Sequence, residues 1–368
     1  MKKYVKRVIT ISSIVLVLSL VVSFLQEYVF CLDDANAWRV RGFYLEDKDS
    51  LDVVFMGASD VFTGVSSGLA YDEFGFTSYP FATDSASIEI WKSQVVDIMK
   101  TQHPKCIVIE INGALYKEDD KFYDDASLRK YLDGTPLSIN KLETLSNVKL
   151  KDNYFDYVFP FIKYHGEYQK VPSNLRENIY YQAQGYAKLR GFSTYTNIMM
   201  GKKLINTDDN ELLPLNKNAE EMLVEFLEFC KQKVDTNVLF VRFPHLITNT
   251  EALERGYRCN AAGKIIKDYG FEFLNLETNY NQIKLDINHD FYNEDHLNVF
   301  GAEKLTSYLG KILIEKYNFD SCDLTRKQRE EWEDSIKVTW DVFETAKQRI
   351  INGTESFISE KDCILQTQ

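Results

Sequence analysis

The sequence predicts an α/β protein with three layers, in which helices cover both faces of a mostly parallel β-sheet. The first indication of this fold class is a set of short apolar runs, rich in β-branched or aromatic residues, that predict buried strands: 51–56 (LDVVFM), 106–111 (CIVIEI), 237–243 (NVLFVRF) and 271–276 (FEFLNL). The second is that stretches with helical periodicity separate or follow them, at about 85–100, 218–233, 251–269 and 299–317. Because strands and helices alternate, right-handed crossovers and a parallel sheet are the default arrangement.

Each element is delimited by residues that end regular structure. The first strand stops at a small and polar turn, Gly57-Ala58-Ser59-Asp60, and the second at Asn112-Gly113. Pro104 ends the first helix and Pro244 the third strand. The helices carry apolar residues at helical spacing, for example Ala302, Leu305, Leu309, Ile312 and Leu313 in the last of them.

Composition changes between the second and third strands. Residues 114–205 are rich in Tyr, Asp and Lys and hold no strand as apolar as the first two, so they predict an inserted, mostly helical cap. A charged helix from about 324 to 351 is expected to pack on the domain. We therefore expect an anchor at 1–30, a lead-in at 31–50, an α/β domain at 51–322 that contains the cap, and a helical tail at 323–368.

An uncharged apolar run occupies residues 8–25, which is long enough to span a bilayer. Basic residues precede it, which predicts a cytoplasmic N-terminus and places the rest of the chain outside; they are Lys2, Lys3, Lys6 and Arg7. The alternatives are a signal peptide cleaved at Ala35-Asn36-Ala37 and a lipoprotein signal ending at Cys31. The first site lies ten residues past the apolar run and bulky Phe30 precedes Cys31, so an uncleaved single-pass anchor in the cell membrane is favoured.

Charge and cysteine usage exclude two classes of function. Without residues 1–31 the chain keeps 39 basic and 54 acidic residues, a formal charge of −15, which argues against nucleic-acid binding. The six cysteines include no C-x-x-C pair, so the common zinc and thioredoxin-like signatures are missing: Cys31, Cys106, Cys230, Cys259, Cys322 and Cys363.

Three polar residues are expected at one edge of the sheet. Ser59 follows the first strand at the carboxyl end, where open α/β sheets place ligands, and Gly57 allows the sharp turn that would present its hydroxyl. Asn112 follows the second strand, and His296 lies in the loop directly before the helix predicted at 299–317. Serine nucleophiles need a base of this kind within hydrogen-bond reach. The alternatives are a serine that caps a helix, an Asn-Gly turn and a surface histidine.

At these residues the sequence resembles the SGNH or GDSL-like hydrolase superfamily. The run Phe55-Met56-Gly57-Ala58-Ser59 is similar to the block that holds its nucleophile, and 291–298 (FYNEDHLN) followed by Gly301-Ala302 is similar to the block that holds its base. More narrowly, the anchor and the runs 157–168 and 296–306 look like those of membrane-anchored Gram-positive relatives of the teichoic-acid D-alanylation protein and alginate acetyltransferases.

The resemblance implies that Ser59 attacks an acyl ester, that His296 is the general base and that the residue at 293 orients it. Asn293 departs from the family's aspartate, so the carboxylate would come from Asp290 or Asp295, with Asp290 preferred if the loop curls. The Ser59 amide and Asn112 would be the oxyanion donors. His165, in the cap, is a further candidate that would approach from above, against the alternative of a purely local hydrogen bond.

Two functions are therefore expected. The first is an extracytoplasmic esterase or acyltransferase that acts on an acetyl or D-alanyl ester of a cell-envelope polymer, such as a glycan or a teichoic-acid-like chain, without a metal or cofactor. The second is a catalytically impaired protein of the same fold that binds glycan or a membrane acyltransferase, which Asn293 favours.

Overall fold

The computed structural model describes residues 2–150, 152–208, 210–317, 319 and 323–366. Cys322 and the expected domain boundary beside it lie outside these residues. The strands are β1 (Val53–Gly57), β2 (Ser78–Ala82), β3 (Cys106–Glu110), β4 (Thr194–Tyr195), β5 (Asn237–Arg242), β6 (Glu272–Asn275) and β7 (Phe357–Ile358).

The α-helices are α1 (Lys2–Phe24), α2 (Ala35–Phe43), α3 (Ser59–Gly64), α4 (Ser67–Phe74), α5 (Trp91–Thr101), α6 (Asp119–Phe122), α7 (Asp125–Leu132), α8 (Ile139–Asn147), α9 (Tyr154–Val158), α10 (Pro160–Tyr164), α11 (Val171–Gln184), α12 (Lys217–Lys233), α13 (Thr250–Asp268), α14 (Tyr280–Ile283), α15 (Val299–Tyr317), α16 (Arg326–Ile351) and α17 (Glu360–Gln366). A π-helical turn at Leu25–Val29 continues α1, and 3-10 turns lie at Ile88–Ile90, Asn112–Ala114 and Tyr168–Lys170.

Five strands form one parallel sheet in the order β2-β1-β3-β5-β6. All four strands expected from the apolar runs belong to it, which confirms the predicted α/β fold class. The strand β2 was not predicted, because its SYPFA run is short and contains Pro80. A proline is tolerated there because β2 lies at the edge of the sheet, where one side needs no ladder partner.

Alternation along β1 divides the interior into two cores. Val54 and Met56 point into a core with α2, α5, α12 and α13, while Val53 and Phe55 point into a second core with α3 and α15. Every residue of β1 is buried, as expected of a parallel strand that helices cover on both faces. The three layers therefore follow from the two apolar faces of the same strands.

One helix starts later than its apolar periodicity predicts. The sequence favours a continuous helix from Ser85, but Ser85 has a left-handed φ of 55° and α5 begins only at Trp91, after the 3-10 turn. The segment between β3 and β4 is largely helical, from α6 to α11, and α12 lies between β4 and β5. β4 pairs antiparallel with β7 from the C-terminal segment.

The two ends of the chain differ in their packing. In the described chain one helical stretch, Lys3–Val29, is long and apolar enough to cross a membrane, and its apolar window is unburied. The next helix, α2, lies in the predicted lead-in and is buried, with Trp38 and Phe43 in the core. At the other end, α16 packs on α4, and its Trp332 ring lies 4.8 Å from that of Tyr71.

Candidate active site

Ser59 lies directly beyond the carboxyl end of β1, as the first residue of α3. Gly57 makes this turn with a φ of 147°, and a Cβ atom built on it would lie 2.9 Å from the Glu110 Cβ. A side chain at position 57 would therefore be strained and crowded. This glycine is what allows the chain to leave the sheet and enter α3 within two residues.

His296 meets Ser59 at hydrogen-bond distance. Its Nε2 lies 2.6 Å from the Ser59 Oγ, and its Nδ1 lies 2.9 Å from the Asn293 Oδ1. The backbone N–H of Asp295 also donates to that Oδ1, at 2.9 Å, so Asn293 presents its carbonyl oxygen to the ring. Nδ1 therefore carries the proton, and Nε2 presents its lone pair to the serine hydroxyl. This is the tautomer that a general base requires.

The surroundings of His296 favour its neutral form. Burial lowers the pKa of His296 below its ordinary value, and the negative charges of Asp60 and Asp295 oppose this effect. The ring is 16% exposed and stacks on Tyr292, with ring centroids 5.4 Å apart. A base that is neutral, held in one tautomer and still reachable from solvent is suited to accept a proton from Ser59.

The next residue, Asp60, is almost fully buried below this pair. Its Oδ2 accepts a hydrogen bond from the Asn112 Nδ2 at 2.9 Å. Its Oδ1 lies 3.6 Å from the Nε2 of His296 and 3.6 Å from the Nε2 of His245, and it has no hydrogen-bond partner among the residues that the structure describes. Burial disfavours the charged carboxylate, yet the nearby His245, His296 and Arg242 together hold the pKa of Asp60 well below its usual range.

Further charged side chains lie under Asp60 and together with it form what we term the Asp60 cluster: Asp60, Glu110, Arg242, His245 and Glu277. Arg242 donates to Glu277 at 2.8 Å and to Glu110 at 3.3 Å, and all three side chains are buried. Burial, together with the charge of Asp60, raises the pKa of Glu110 well above its ordinary value. Arg242 is thus the cation that neutralises this buried acidic group.

The structure places the predicted residues in two groups. Ser59, His296 and Asn293 are in contact, and Asn112 lies beside them, although its side chain donates to Asp60 and its backbone N–H to Glu110. One hydrogen of the Asn112 amide group remains beyond the one given to Asp60. The expectation that Asn112 is an oxyanion donor thus depends on that second hydrogen.

The other predicted residues lie elsewhere, and the proposal that Asp290 orients His296 needs correction. Asp290 accepts from the Lys304 Nζ at 2.5 Å and the Asp286 N–H at 2.7 Å, so its carboxylate closes the loop that precedes His296. Asp295 pairs with Arg255 at 2.7 Å. His165 is exposed and its Nδ1 donates to the backbone carbonyl of Ile162, the purely local role given as its alternative.

Sequence reasoning missed His245 and gave Asp60 no role. His245 follows Pro244 directly after β5, so it stands at the same carboxyl edge of the sheet as Ser59 and Asn112. The rule that selected Asn112 would have selected His245 as well. Glu110 and Arg242 carried no such signal, because they are the last residues of β3 and β5 and do not belong to the turns that follow.

Comparisons with known proteins add little to this geometry. No family model and no curated protein matches the sequence. Among solved structures, the chain is similar to a Parabacteroides merdae protein designated a GDSL-like lipase, with a TM-score of 0.35 and 10% identity, over 73% of this chain and 97% of that one. A likeness this distant carries no weight for the chemistry, which depends on the site itself.

Proposed function

We propose that this protein is a membrane-anchored serine esterase or acyltransferase of the SGNH type, which acts on an ester-linked acetyl or D-alanyl group of a cell-envelope polymer. The observation that carries the proposal is the 2.6 Å contact between the Ser59 Oγ and the His296 Nε2, with Asn293 fixing the tautomer of the ring. A nucleophile, a base and a third group that orients the base are what acyl transfer by serine requires.

The reaction would run in two halves. The Ser59 Oγ attacks the acyl carbonyl carbon while the His296 Nε2 takes the hydroxyl proton, and the tetrahedral intermediate then expels the polymer hydroxyl, which receives that proton. This leaves an acyl ester on Ser59. Water or an acceptor hydroxyl then attacks that ester and gives its proton to Nε2, and the return of the proton to the Ser59 Oγ releases the acid or the transferred ester. The Ser59 backbone N–H and the Asn112 amide would stabilise the oxyanion in both halves.

The location of the substrate follows from the anchor. The helix α1 carries its basic residues in the first two turns and an unburied apolar run after them, which fits a single-pass span with a cytoplasmic N-terminus. The remainder of the chain would then lie outside the membrane, where ester-bearing envelope polymers, or a membrane acyltransferase that supplies the acyl group, are within reach.

One observation favours a second candidate function. The Nδ1 of His296 faces a neutral amide, which orients the ring but does not stabilise its protonated form. In a serine protease, replacing the triad aspartate by asparagine costs about 10,000-fold in turnover. A protein impaired in this way would bind an envelope glycan or an acyltransferase without cleaving an ester.

A serine-reactive fluorophosphonate separates the two candidates. We expect the full-length protein to be labelled, and labelling to fall to background in Ser59→Ala and in His296→Ala, because both members of the pair are needed to activate the hydroxyl. The matched controls, Ser146→Ala and His103→Ala, change exposed residues of the same types and should keep full labelling. A folded protein that is not labelled, or that is labelled equally without Ser59, would contradict the esterase.

Substrate class is tested on isolated envelope polymer. Wild-type protein should release acetate or D-alanine from polymer that carries those esters, and Ser59→Ala should release neither. Phosphonate labelling without any release from the polymer would retain the serine chemistry and exclude these two acyl groups.

A further inference from the structure

His296 lacks a carboxylate at Nδ1, yet one lies on the other side of its ring. The Asp60 Oδ1 is 3.6 Å from the His296 Nε2, the atom that receives the proton of Ser59. We propose that Asp60 is the positioning residue that replaces the missing carboxylate of the triad, by stabilising the protonated His296 from the Nε2 side. This inference rests on the proposed function, since it assumes that His296 takes a proton from Ser59.

The distances identify how Asp60 would act. The Asp60 carboxylate is ionised and has no proton to give to Nε2, so the Ser59 hydroxyl remains the donor to the Nε2 lone pair; at 3.6 Å the Oδ1 acts on the ring through its charge and not through a normal hydrogen bond. Its other oxygen is held by the Asn112 amide, which fixes the carboxylate in place. The Asp60 side chain is 2% exposed, so water screens its charge weakly, and a fixed charge next to a developing cation needs no rearrangement during the reaction.

The two partners of the His296 ring then divide one task. Asn293 accepts the Nδ1 hydrogen and sets the tautomer, while Asp60 supplies the negative charge. In the usual triad a single aspartate does both. This division accounts for Asn293 at a position where an amide alone would leave the protonated ring unsupported.

His245 is the counterpart of Asp60 on the side away from Ser59. Its Nδ1 donates to the Phe243 carbonyl oxygen at 2.7 Å, so its Nε2 faces the Asp60 Oδ1. The two atoms are buried, lie 3.6 Å apart and have no hydrogen-bond partner within the described residues, so His245 and Asp60 interact through space. The charge of His245 lowers the pKa of Asp60 and, like burial, lowers the pKa of His296, so it opposes the effect of Asp60 on His296.

Other charges also face these groups and enter any titration. Asp60 is surrounded by His245 and Arg242 from β5 and the loop after it, by Glu110 and Tyr116 from β3 and the loop after it, and by His296. His296 also senses Asp295 and Asp84. Substitution of Asp60 or His245 leaves all of these others in place, so opposite responses of His296 can be assigned to the residue that was changed.

A double-mutant cycle tests the division of roles. Asp60→Asn keeps the shape of the side chain and removes its charge, and we expect kcat for p-nitrophenyl acetate to fall by about 100-fold with KM within about threefold. Asn293→Asp restores a carboxylate at Nδ1 and should raise kcat at least about tenfold more in the Asp60→Asn background than in the wild type, because only there is the charge missing. The proposal would be overturned if Asn293→Asp changed kcat by the same factor in the Asp60→Asn background and in the wild type.

A pH profile gives a readout that a merely structural role would not move. The acid limb of kcat/KM reports the protonation of His296 in the free enzyme. It should move down by about one pH unit in Asp60→Asn, which removes a negative charge, and up in His245→Gln, which removes a positive one. Shifts in the same direction, or none, would contradict the assignment.

The control is Asp97→Asn. Asp97 is a buried aspartate on α5 that accepts hydrogen bonds from Tyr44 and Tyr131. Its substitution should leave kcat within about threefold and should not move the acid limb of kcat/KM. Failure of the proposed function would be seen in a different experiment, because the fluorophosphonate would then not label the wild-type protein. If Asp60→Asn does not fold, the test uses His245→Gln. The proposal is then overturned if the acid limb of kcat/KM does not move to higher pH in that variant.

Discussion

Two buried aspartates lie close to the candidate nucleophile and base in sequence, yet their environments differ. Asp290 uses both carboxylate oxygens, one for the Lys304 ammonium and the Asp286 N–H and the other for the His289 ring. Asp60 accepts its hydrogen bond through Oδ2, and its Oδ1, which has no hydrogen-bond partner within the described chain, lies between two imidazole rings. Both side chains are 2% exposed or less.

This difference shows which buried carboxylate is free to take part in chemistry. Asp290 has used its hydrogen-bonding capacity on the loop that carries His296, so it stabilises the fold of that loop. Asp60 retains an oxygen whose charge is compensated only through space, and such unsatisfied buried groups are costly unless they serve a purpose. The contrast can be tested by substituting Arg242, by substituting Asp290 and by measuring the pH dependence that His296 sets.

The largest effect is expected from the cation that supports the Asp60 cluster. Arg242→Met keeps much of the apolar volume but leaves Glu110 and Glu277 buried without their counter-ion. We expect the free energy of unfolding to fall by about 4 kcal/mol, measured by urea denaturation, because removing one partner of a buried ion pair strands the other.

Arg326→Met is the matched control, since Arg326 forms an exposed pair with Glu330 within one helix. It should change the free energy of unfolding by less than about 0.5 kcal/mol. Equal losses in the two variants would show that the buried acidic group does not depend on Arg242.

Asp290→Asn should produce a smaller loss of stability and leave the chemistry intact. The amide cannot pair with Lys304, whose side chain is partly exposed, so we expect a loss of about 2 kcal/mol in urea denaturation. Turnover per folded molecule should stay within about threefold. Asp268→Asn, at an exposed pair with Lys264, should change stability little. A loss of turnover of about 100-fold with unchanged stability would reverse the roles assigned to Asp60 and Asp290.

The smallest expected effect is a shift in the pH dependence of kcat/KM in the wild-type protein. His296 must be neutral to accept a proton, and burial lowers its pKa from the ordinary value of 6.5. As pH falls, activity should therefore persist to below pH 6.5 before the ring is protonated. The acid limb of kcat/KM for p-nitrophenyl acetate measures this directly, with His103→Gln, an exposed histidine paired with Asp49, as a control that should not move it. A midpoint above 6.5 would show that charge outweighs burial.

Most of the parallel sheet was predictable because buried parallel strands carry uninterrupted apolar runs. β1, β3, β5 and β6 were found within about two residues of their observed ends. β2 was not, since Pro80 argues against a strand unless its edge position is known. The segment at 114–205 was predicted to be mostly helical because it holds no strand as apolar as the first two; it contains α6 to α11 and, beyond that prediction, the short strand β4.

Local sequence pattern was sufficient to predict that Ser59, at its strand-ending turn, and His296, in the loop before α15, share one edge of the sheet, because this depends on short motifs and on the order of elements. Which carboxylate lies near His296 depends instead on tertiary packing. Asp290, Asp295 and Asp60 are equally acidic as isolated residues, and their roles differ because folding gives Lys304 to the first, Arg255 to the second and two imidazole rings to the third. Charge pairing between segments so distant in sequence is a property of the packed sheet edge, which no local pattern encodes.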